Sequence, residues 1–404
     1  MTGITWLDVS EILSIIPPLS VFGKLLSMKT RRYCTWLLLT ACFAFEVSVA
    51  IAATPYPGGR AVYNGLIFTE TESLPNRYGY FKINVSPNAH FSGKVRVGRR
   101  SAGLRGKFDP QGAAFASVLV ETGQFEYVGG WDYSLVPEKK LYWTLSLQLT
   151  NNGDQIIGQV VSYRGSGWVA SLLGDRAPYD RLANPAPQAG QYTFITPGSP
   201  EDSTRPAGDG YGTLTVDASG NVLLKGILAD GSPFAHSALL SGEGLFPLFA
   251  PLYGGKGVLV GWVRFTNVAG NDLVGQLNWV RLSQRAARFY PAGFTNETGL
   301  VGSRYDPSLG ILGFADSTLI LSGGNLGAAL TNRVSLGPNR KTLEPNSPFL
   351  SLTLPSGLFR GTVKEPRSGR LLGFGGAVLQ GPRTGSGYFL GSDQAGKVTL
   401  DPLD

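Results

Sequence analysis

A short signature, apolar-x-Gly-x-apolar, recurs along this 404-residue chain and constrains its fold more than any other feature. Because residues two apart in a strand share one face, each central glycine lies on the same face as its apolar neighbours. A glycine inside a strand costs roughly 0.5–1 kcal/mol relative to alanine, so its recurrence predicts a close approach by a facing strand or an aromatic ring. The signature glycines are Gly93, Gly106, Gly158, Gly226, Gly275, Gly361 and Gly376.

The stretch from Phe81 to Val97 shows the signature in its setting. Phe81, Ile83 and Val85 alternate with polar residues, and the same alternation resumes after a turn-like Ser-Pro-Asn sequence. This period of two, on both sides of a turn, predicts a half-buried antiparallel strand pair.

Similar hairpins follow one another to the end of the chain, and no convincing amphipathic helix occurs after residue 53. The sequence therefore predicts an all-β protein of tandem antiparallel meander units. Inward glycines are typical of strongly curved sheets, and closure of such sheets removes exposed strand edges. Two small β-barrels are the favoured arrangement, and β-sandwiches are the alternative.

The first 53 residues indicate export. Residues 28–52 have a basic start, a long apolar run and a small-x-small site at Ala50-Ile51-Ala52, the three parts of a signal peptide. Residues 1–27 then form an upstream extension, and the natural start is either Met1 or Met28. Two alternatives place the chain at a membrane: an uncleaved signal, or a lipid on Cys42 after the lipobox-like Leu39-Thr40-Ala41.

A proline-rich stretch divides the remaining chain. Residues 58–183 form the first predicted β unit, residues 184–190 a linker, and residues 191–404 a second unit that includes a third repeat from about 310. Proline in a linker favours an extended spacer. Both cysteines, Cys34 and Cys42, precede this part, so the exported chain is predicted to contain no disulfide.

The formal net charge is +7, with lysine and arginine scattered along the sequence. The densest small groups are Arg99-Arg100 and Lys139-Lys140. A nucleic-acid-binding protein concentrates such charge on one face, so the scatter indicates a generally basic solvated surface and no nucleic-acid partner.

Motifs for chemistry are sparse. The two histidines, His90 and His236, carry no metal-binding or triad pattern, and both are interpreted as loop residues. No catalytic, metal-binding or cofactor-binding residue is predicted. The aromatic loop around Trp131, Asp132 and Tyr133 is the one candidate ligand site, because exposed aromatic residues beside an acid can stack on sugar rings. The alternative is that Trp131 and Tyr133 pack inward from a strand.

Several glycine-containing segments resemble an uncharacterised glycine-rich β-repeat module of exported bacterial multi-domain surface proteins. They are Ala61–Gly65, Phe91–Val95, Pro206–Gly212 and Tyr253–Gly257. The resemblance covers nearly the whole exported chain and implies a repeated β architecture. It supplies no catalytic residues.

The sequence thus favours an exported, non-enzymatic protein with a structural, adhesive or ligand-binding role, located outside the cell, on its surface or in the periplasm. Its predicted partners are a cell-surface polysaccharide or another exported protein. One alternative is a carbohydrate-binding or carbohydrate-active exported protein, and a second is an outer-membrane β-barrel.

Overall fold

The computed structural model describes residues 56, 58–69, 74–122, 140–162, 167–268, 270–309, 314, 316–337, 341–342, 349–353 and 356–403. The extension, the signal peptide and Cys42 lie outside these residues. The described residues form antiparallel strands in three sheets, joined by turns and by one-turn 3-10 helices such as Pro75–Arg77. The prediction of an all-β chain with strongly curved meander sheets is therefore confirmed.

The first sheet, here barrel 1, has eight strands in the order β4-β3-β2-β1-β8-β7-β6-β5. This order is a simple meander whose first strand pairs with its last, leaving an open seam between β4 and β5. The predicted hairpin from Phe81 to Val97 is formed by β2 and β3. The strands are β1 Ala61–Phe68, β2 Gly79–Val85, β3 His90–Val97, β4 Arg100–Lys107, β5 Ala113–Thr122, β6 Lys140–Thr150, β7 Gln155–Ser162 and β8 Trp168–Arg176.

The second sheet, barrel 2, repeats this topology in the order β12-β11-β10-β9-β16-β15-β14-β13. The predicted linker, residues 184–190, connects β8 to β9, and its Ala186 packs into the core of barrel 2. The strands are β9 Gly190–Thr196, β10 Gly210–Val216, β11 Asn221–Ile227, β12 Pro233–Leu239, β13 Leu245–Leu252, β14 Gly257–Val268, β15 Asn271–Arg281 and β16 Phe294–Arg304.

The third sheet, barrel 3, has seven strands in the order β18-β17-β23-β22-β21-β20-β19. At its seam, Thr342 forms an antiparallel bridge to Leu336 after β18, and Lys341 forms one to Ser351 in β19. These bridges connect the two edges of barrel 3 among the described residues. The strands are β17 Asp316–Gly323, β18 Leu330–Ser335, β19 Phe349–Thr353, β20 Leu358–Lys364, β21 Leu371–Leu379, β22 Thr384–Leu390 and β23 Ala395–Pro402.

The described residues thus contain three nearly closed barrels, where the sequence favoured two. The third lies where the sequence placed its third repeat. Each barrel is a meander, with eight described strands in the first two and seven in the third, so most neighbouring strands are also neighbours in sequence. Only the ladder between first and last strand requires a long-range pairing, and it joins β1 to β8, β9 to β16 and β17 to β23.

Apolar side chains fill each barrel, and the signature glycines allow that filling. Gly106 lies opposite Phe91, and Gly361 lies opposite Phe374, in neighbouring strands. In both pairs the aromatic ring lies over the glycine, where a Cβ would collide with it. At Gly93 the obstacle is the backbone of β2 instead. The predicted close approach of rings and strands to these glycines is confirmed.

Barrels 1 and 2 belong to one compact unit, Ala52–Asp404, and share an apolar contact. Leu66 on β1 and Phe249 on β13 are both buried in it. Beside them, the Asn64 side chain hydrogen-bonds both backbone groups of Leu239: its amide donates to the carbonyl oxygen (3.1 Å), and the Leu239 N–H donates to Asn64 Oδ1 (2.8 Å). A buried side chain thus pairs with the backbone at the end of β12. No helix among the described residues is long and apolar enough to cross a membrane.

His236 lies in this contact, so its interpretation as a loop residue is wrong. It stands in the middle of β12, with its ring 4.9 Å from that of Tyr80, edge to face. His90, also interpreted as a loop residue, is the exposed first residue of β3. Burial lowers the pKa of His236 to about 4, and the nearby Arg96 charge also lowers it. A hydrogen bond with the Pro247 backbone has the opposite effect and raises the pKa. The packing of two barrels, rather than a local motif, buries this ring.

His236 should make the stability depend on pH between about 6.5 and 4. In the unfolded chain this histidine becomes protonated near pH 6.5, whereas in the folded chain it stays neutral down to about pH 4. Acid therefore favours unfolding. Between pH 7 and 4.5 this one group should lower the free energy of unfolding by on the order of 2 kcal/mol. Urea denaturation at both pH values should show a smaller loss for His236→Phe than for the original chain. An equal loss in the two proteins would refute the assignment.

Candidate ligand-binding groove

The residues chosen from sequence as a ligand site, Trp131, Asp132 and Tyr133, lie outside the described residues. The structure indicates a different candidate, an open groove on the outer face of barrel 3. It is a shallow cavity of about 390 Å³, and barrel 2 contributes to one end of it. The sequence pattern did not reveal it, because its side chains come from four strands of barrel 3 and one of barrel 2.

The floor of the groove is glycine. Gly373 and Gly375 are outward positions of β21, and the register places Arg360 of β20 and Tyr388 of β22 on either side of Gly375. Strands lie about 4.8 Å apart, so the two flanking Cα atoms are separated by about 10 Å, and β21 itself contributes no side chain between them. A Cβ on Gly373 would meet no atom within 4 Å, so the floor is open there.

The walls are largely aromatic and apolar. Phe349, which is 45% exposed, and Thr362 lie on the β20 side, and Tyr388 and Leu390 lie on the β22 side. The Arg360 side chain is exposed and forms no hydrogen bond or ion pair with any other described residue. The groove therefore offers ring faces, an open floor at Gly373 and one cation that no described residue pairs with.

Tyr211 of β10 reaches across from barrel 2 and closes one end of this floor. Its hydroxyl occupies the space that a Cβ on Gly375 would need, and its ring centroid lies 5.8 Å from that of Tyr388. Burial raises the pKa of both tyrosines. The pKa of Tyr388 is raised further by the neighbouring Tyr211 and by the charge of Asp230. Both hydroxyls therefore stay protonated at neutral pH and can donate hydrogen bonds.

A second shallow groove continues on the far side of Tyr211, over the outer face of barrel 2. It is lined by outward residues of β10, β11 and β12, with Leu358 of β20 completing one edge. The outward residues are Thr213, Lys225, Ile227 and Pro233. The two parts share Tyr211 in their lining and are here together called the Tyr211 groove.

Barrels 2 and 3 are held together beside the groove by a buried polar cluster. Asp209 accepts hydrogen bonds from the Ser386 hydroxyl (2.5 Å) and the Gly198 N–H (3.0 Å), and Lys397 Nζ lies 3.1 Å from its carboxylate. Ser386 is 5% exposed and Asp209 1%, so the hydroxyl faces the contact between barrels and not a substrate cleft. The cluster positions barrel 3 and resembles no nucleophile–base pair.

A second buried cluster closes one end of barrel 2. Arg281 Nη1 lies 2.6 Å from Asp230 Oδ2, and the Tyr253 hydroxyl donates to the same oxygen at 2.6 Å. Trp279 Nε1 donates to the Tyr253 hydroxyl at 3.0 Å, and the Arg281 guanidinium lies 4.6 Å from the Tyr253 ring centre. Burial raises the pKa of Tyr253, and the adjacent Asp230 charge raises it further. The cluster joins the turn between β11 and β12, the turn that contains Tyr253, and the end of β15.

Among the described residues, no group of three or more His, Cys, Asp or Glu side chains is placed to hold a metal ion. The groove is one of several open cavities among the described residues, and its side chains are suited to binding. Fold and groove together define a chain of three filled β-barrels with an open groove across the outer faces of the second and third.

No protein-family model and no curated protein matches this sequence. Similar solved structures include transferrin binding protein B from two bacteria. A tryptophan-to-alanine mutant of that protein from Haemophilus parasuis Hp5 aligns over 86% of this chain and 77% of its own, with 11% identity and a TM-score of 0.21. The isotype 1 protein from serogroup B Neisseria meningitidis aligns over 86% and 76%, with 9% identity and a TM-score of 0.20. At such TM-scores, function must be inferred from this chain's own residues.

Proposed function

We propose that this chain is an exported, non-enzymatic binding protein that holds a saccharide chain in the Tyr211 groove. The observation that carries the proposal is the glycine floor of Gly373 and Gly375 between aromatic and apolar walls. Ring faces of tyrosine and phenylalanine pack on the apolar faces of sugars, and tyrosine hydroxyls and Arg360 hydrogen-bond to sugar oxygens. Binding pockets commonly combine such apolar walls with few polar groups.

The lining favours binding over hydrolysis. Glycoside hydrolysis by the usual mechanism needs two carboxyl groups flanking the bond. The described residues that line the two parts of the groove include tyrosine, phenylalanine, arginine, lysine, threonine and glycine, and no carboxylate. The signal peptide predicted at residues 28–52 supports a location outside the cytoplasm.

The barrel interiors also support a binding protein over the alternative of an outer-membrane pore. A pore of that class has a polar interior and an apolar outer band. Here the apolar side chains form the three interior cores. Outward positions of β2 and β3 carry Lys82, Asn84, Ser92 and Lys94. A surface of this kind suits contact with water and polar ligands.

Filling the groove floor should abolish binding. In Gly373→Leu, the new side chain points outward into open space, so the barrel should remain folded while the groove is blocked. The purified full-length chain is first screened on a glycan array, and the affinity for a bound oligosaccharide is then measured by isothermal titration calorimetry. We expect Gly373→Leu to weaken that affinity at least tenfold.

The matched control is Gly103→Leu on β4 of barrel 1, where a Cβ also meets no atom within 4 Å. For an uncharged oligosaccharide, this variant should bind as the original chain does. Equal affinities for the Gly373 and Gly103 variants, or release of sugar that one carboxylate substitution abolishes, would contradict the proposal.

A further inference from the structure

Barrel 1 carries an unusual concentration of positive charge. Between residues 74 and 108 the sequence contains eight lysine or arginine residues and no aspartate or glutamate. In sequence these cations look scattered, which predicted charge spread evenly over the surface. In the structure they are grouped on one part of barrel 1 instead. Most of them stand on the outward face of three adjacent strands, β2, β3 and β4.

The strand register brings the cations together. Lys82 lies directly opposite Lys94, and Arg105 lies opposite Ser92, one outward position further along. Lys107 follows Arg105 on the same face of β4. Neighbouring outward positions are about 5 Å apart across strands and about 7 Å apart along them. Like charges directly opposite each other destabilise a sheet, so this arrangement has an electrostatic cost in the absence of an anion.

None of the described residues neutralises the cations of this face. Lys82, Lys94, Arg105 and Lys107 form no ion pair or hydrogen bond through their side chains with other described residues. Their outward neighbours are small or polar, and Gly103 beside Lys94 leaves open space. This set of four cations is called the basic face below.

The rest of barrel 1 shows that the charge is segregated. The central outward positions of β6, β7 and β8 carry uncharged residues such as Thr144, Gln159 and Ser171, and the charged residues Lys140 and Asp175 lie near the strand ends. A chain that needed charge only for solubility would not require four cations on neighbouring outward positions of one face of the barrel.

We propose that the basic face binds an acidic polysaccharide, at a site separate from the Tyr211 groove. Cations spaced at about 5–7 Å in two directions suit a chain that carries regularly repeated anionic groups. The Ser92 hydroxyl and the Asn84 amide between them can hydrogen-bond to sugar hydroxyls. The occupant is a polysaccharide rather than a single-stranded nucleic acid, because base recognition of that kind uses exposed aromatic platforms. Tyr80 is the aromatic residue at an outward position of these strands, and its ring packs against His236.

The test measures binding of the purified full-length chain to fluorescently labelled polygalacturonate, with neutral dextran and a DNA duplex as comparison probes. We expect binding to polygalacturonate that weakens steeply between 50 and 200 mM salt, as charge-driven association with a polyanion does. We expect no binding to dextran and at least tenfold weaker binding to the duplex.

Two double variants locate the site. Lys94→Glu with Arg105→Glu should weaken polygalacturonate binding at least tenfold. Arg333→Glu with Lys364→Glu changes the net charge equally, at exposed positions of barrel 3, and should alter affinity less than threefold. Circular dichroism checks that both remain folded, and Gly373→Leu should leave this binding intact. Equal losses in the two double variants, tighter binding to the duplex, or no binding to polygalacturonate would overturn the proposal.

Discussion

We expect Gly361→Ala to lower the free energy of unfolding by about 3 kcal/mol, the upper part of the range for inserting a methyl group into a packed core. Gly361 of β20 faces the interior of barrel 3, and a Cβ there would collide with the Phe349 carbonyl oxygen and the Phe374 ring. One of these obstacles is backbone, so relief requires a shift of β19 rather than a change of rotamer. Denaturant titration followed by circular dichroism measures the loss.

Gly373→Ala is the matched control, because Gly373 lies on the neighbouring strand β21 but faces outward into open space. Alanine there should be neutral or should stabilise the chain by up to about 1 kcal/mol, since it reduces the freedom of the unfolded backbone. If the two alanine variants unfold at the same denaturant concentration, the close packing assigned to the inward glycine is wrong.

The second large effect is expected at the polar end of barrel 2. Asp230→Ala removes the partner of Arg281, whose side chain is 7% exposed, and leaves a buried cation without compensation. Breaking one side of a buried ion pair typically costs 3–5 kcal/mol, so we expect a loss of about 4 kcal/mol. The measurement is the free energy of unfolding at neutral pH. Tyr253→Phe, which removes one neutral hydrogen-bond donor to Asp230, should cost about 1–2 kcal/mol.

A double variant separates the ion pair from other effects of the substitution. Asp230→Ala combined with Arg281→Met removes both charges, so it should be more stable than Asp230→Ala alone. A double variant less stable than the single one would show that Arg281 stabilises the barrel by packing and not through Asp230.

Much of the fold was predictable because it depends on local repetition. A meander pairs strands that are adjacent in sequence. The alternation and the turn between Phe81 and Val97 therefore predicted both strands and their pairing with each other. The inward glycines also carried long-range information, since Gly106 and Gly361 required rings that the sequence placed on neighbouring strands. The number of barrels was less accessible, because it depends on ladders such as β17 with β23 between distant segments.

The candidate sites depend on contacts that no local pattern contains. Tyr211 meets Gly375 only because two barrels pack together. The same holds for His236 and Tyr80. The basic face could have been predicted from the absence of acids between residues 74 and 108, had the alternation of β2 to β4 been used to sort the cations by face. The Trp131 loop remains a prediction from sequence.

The most direct test of the proposed function is a crystal structure of the chain with a bound oligosaccharide taken from the glycan screen. The proposal predicts sugar rings along the Tyr211 groove, with one ring over Gly373 and against Tyr388. Sugar density located elsewhere on the chain, with the groove over Gly373 empty, would contradict it.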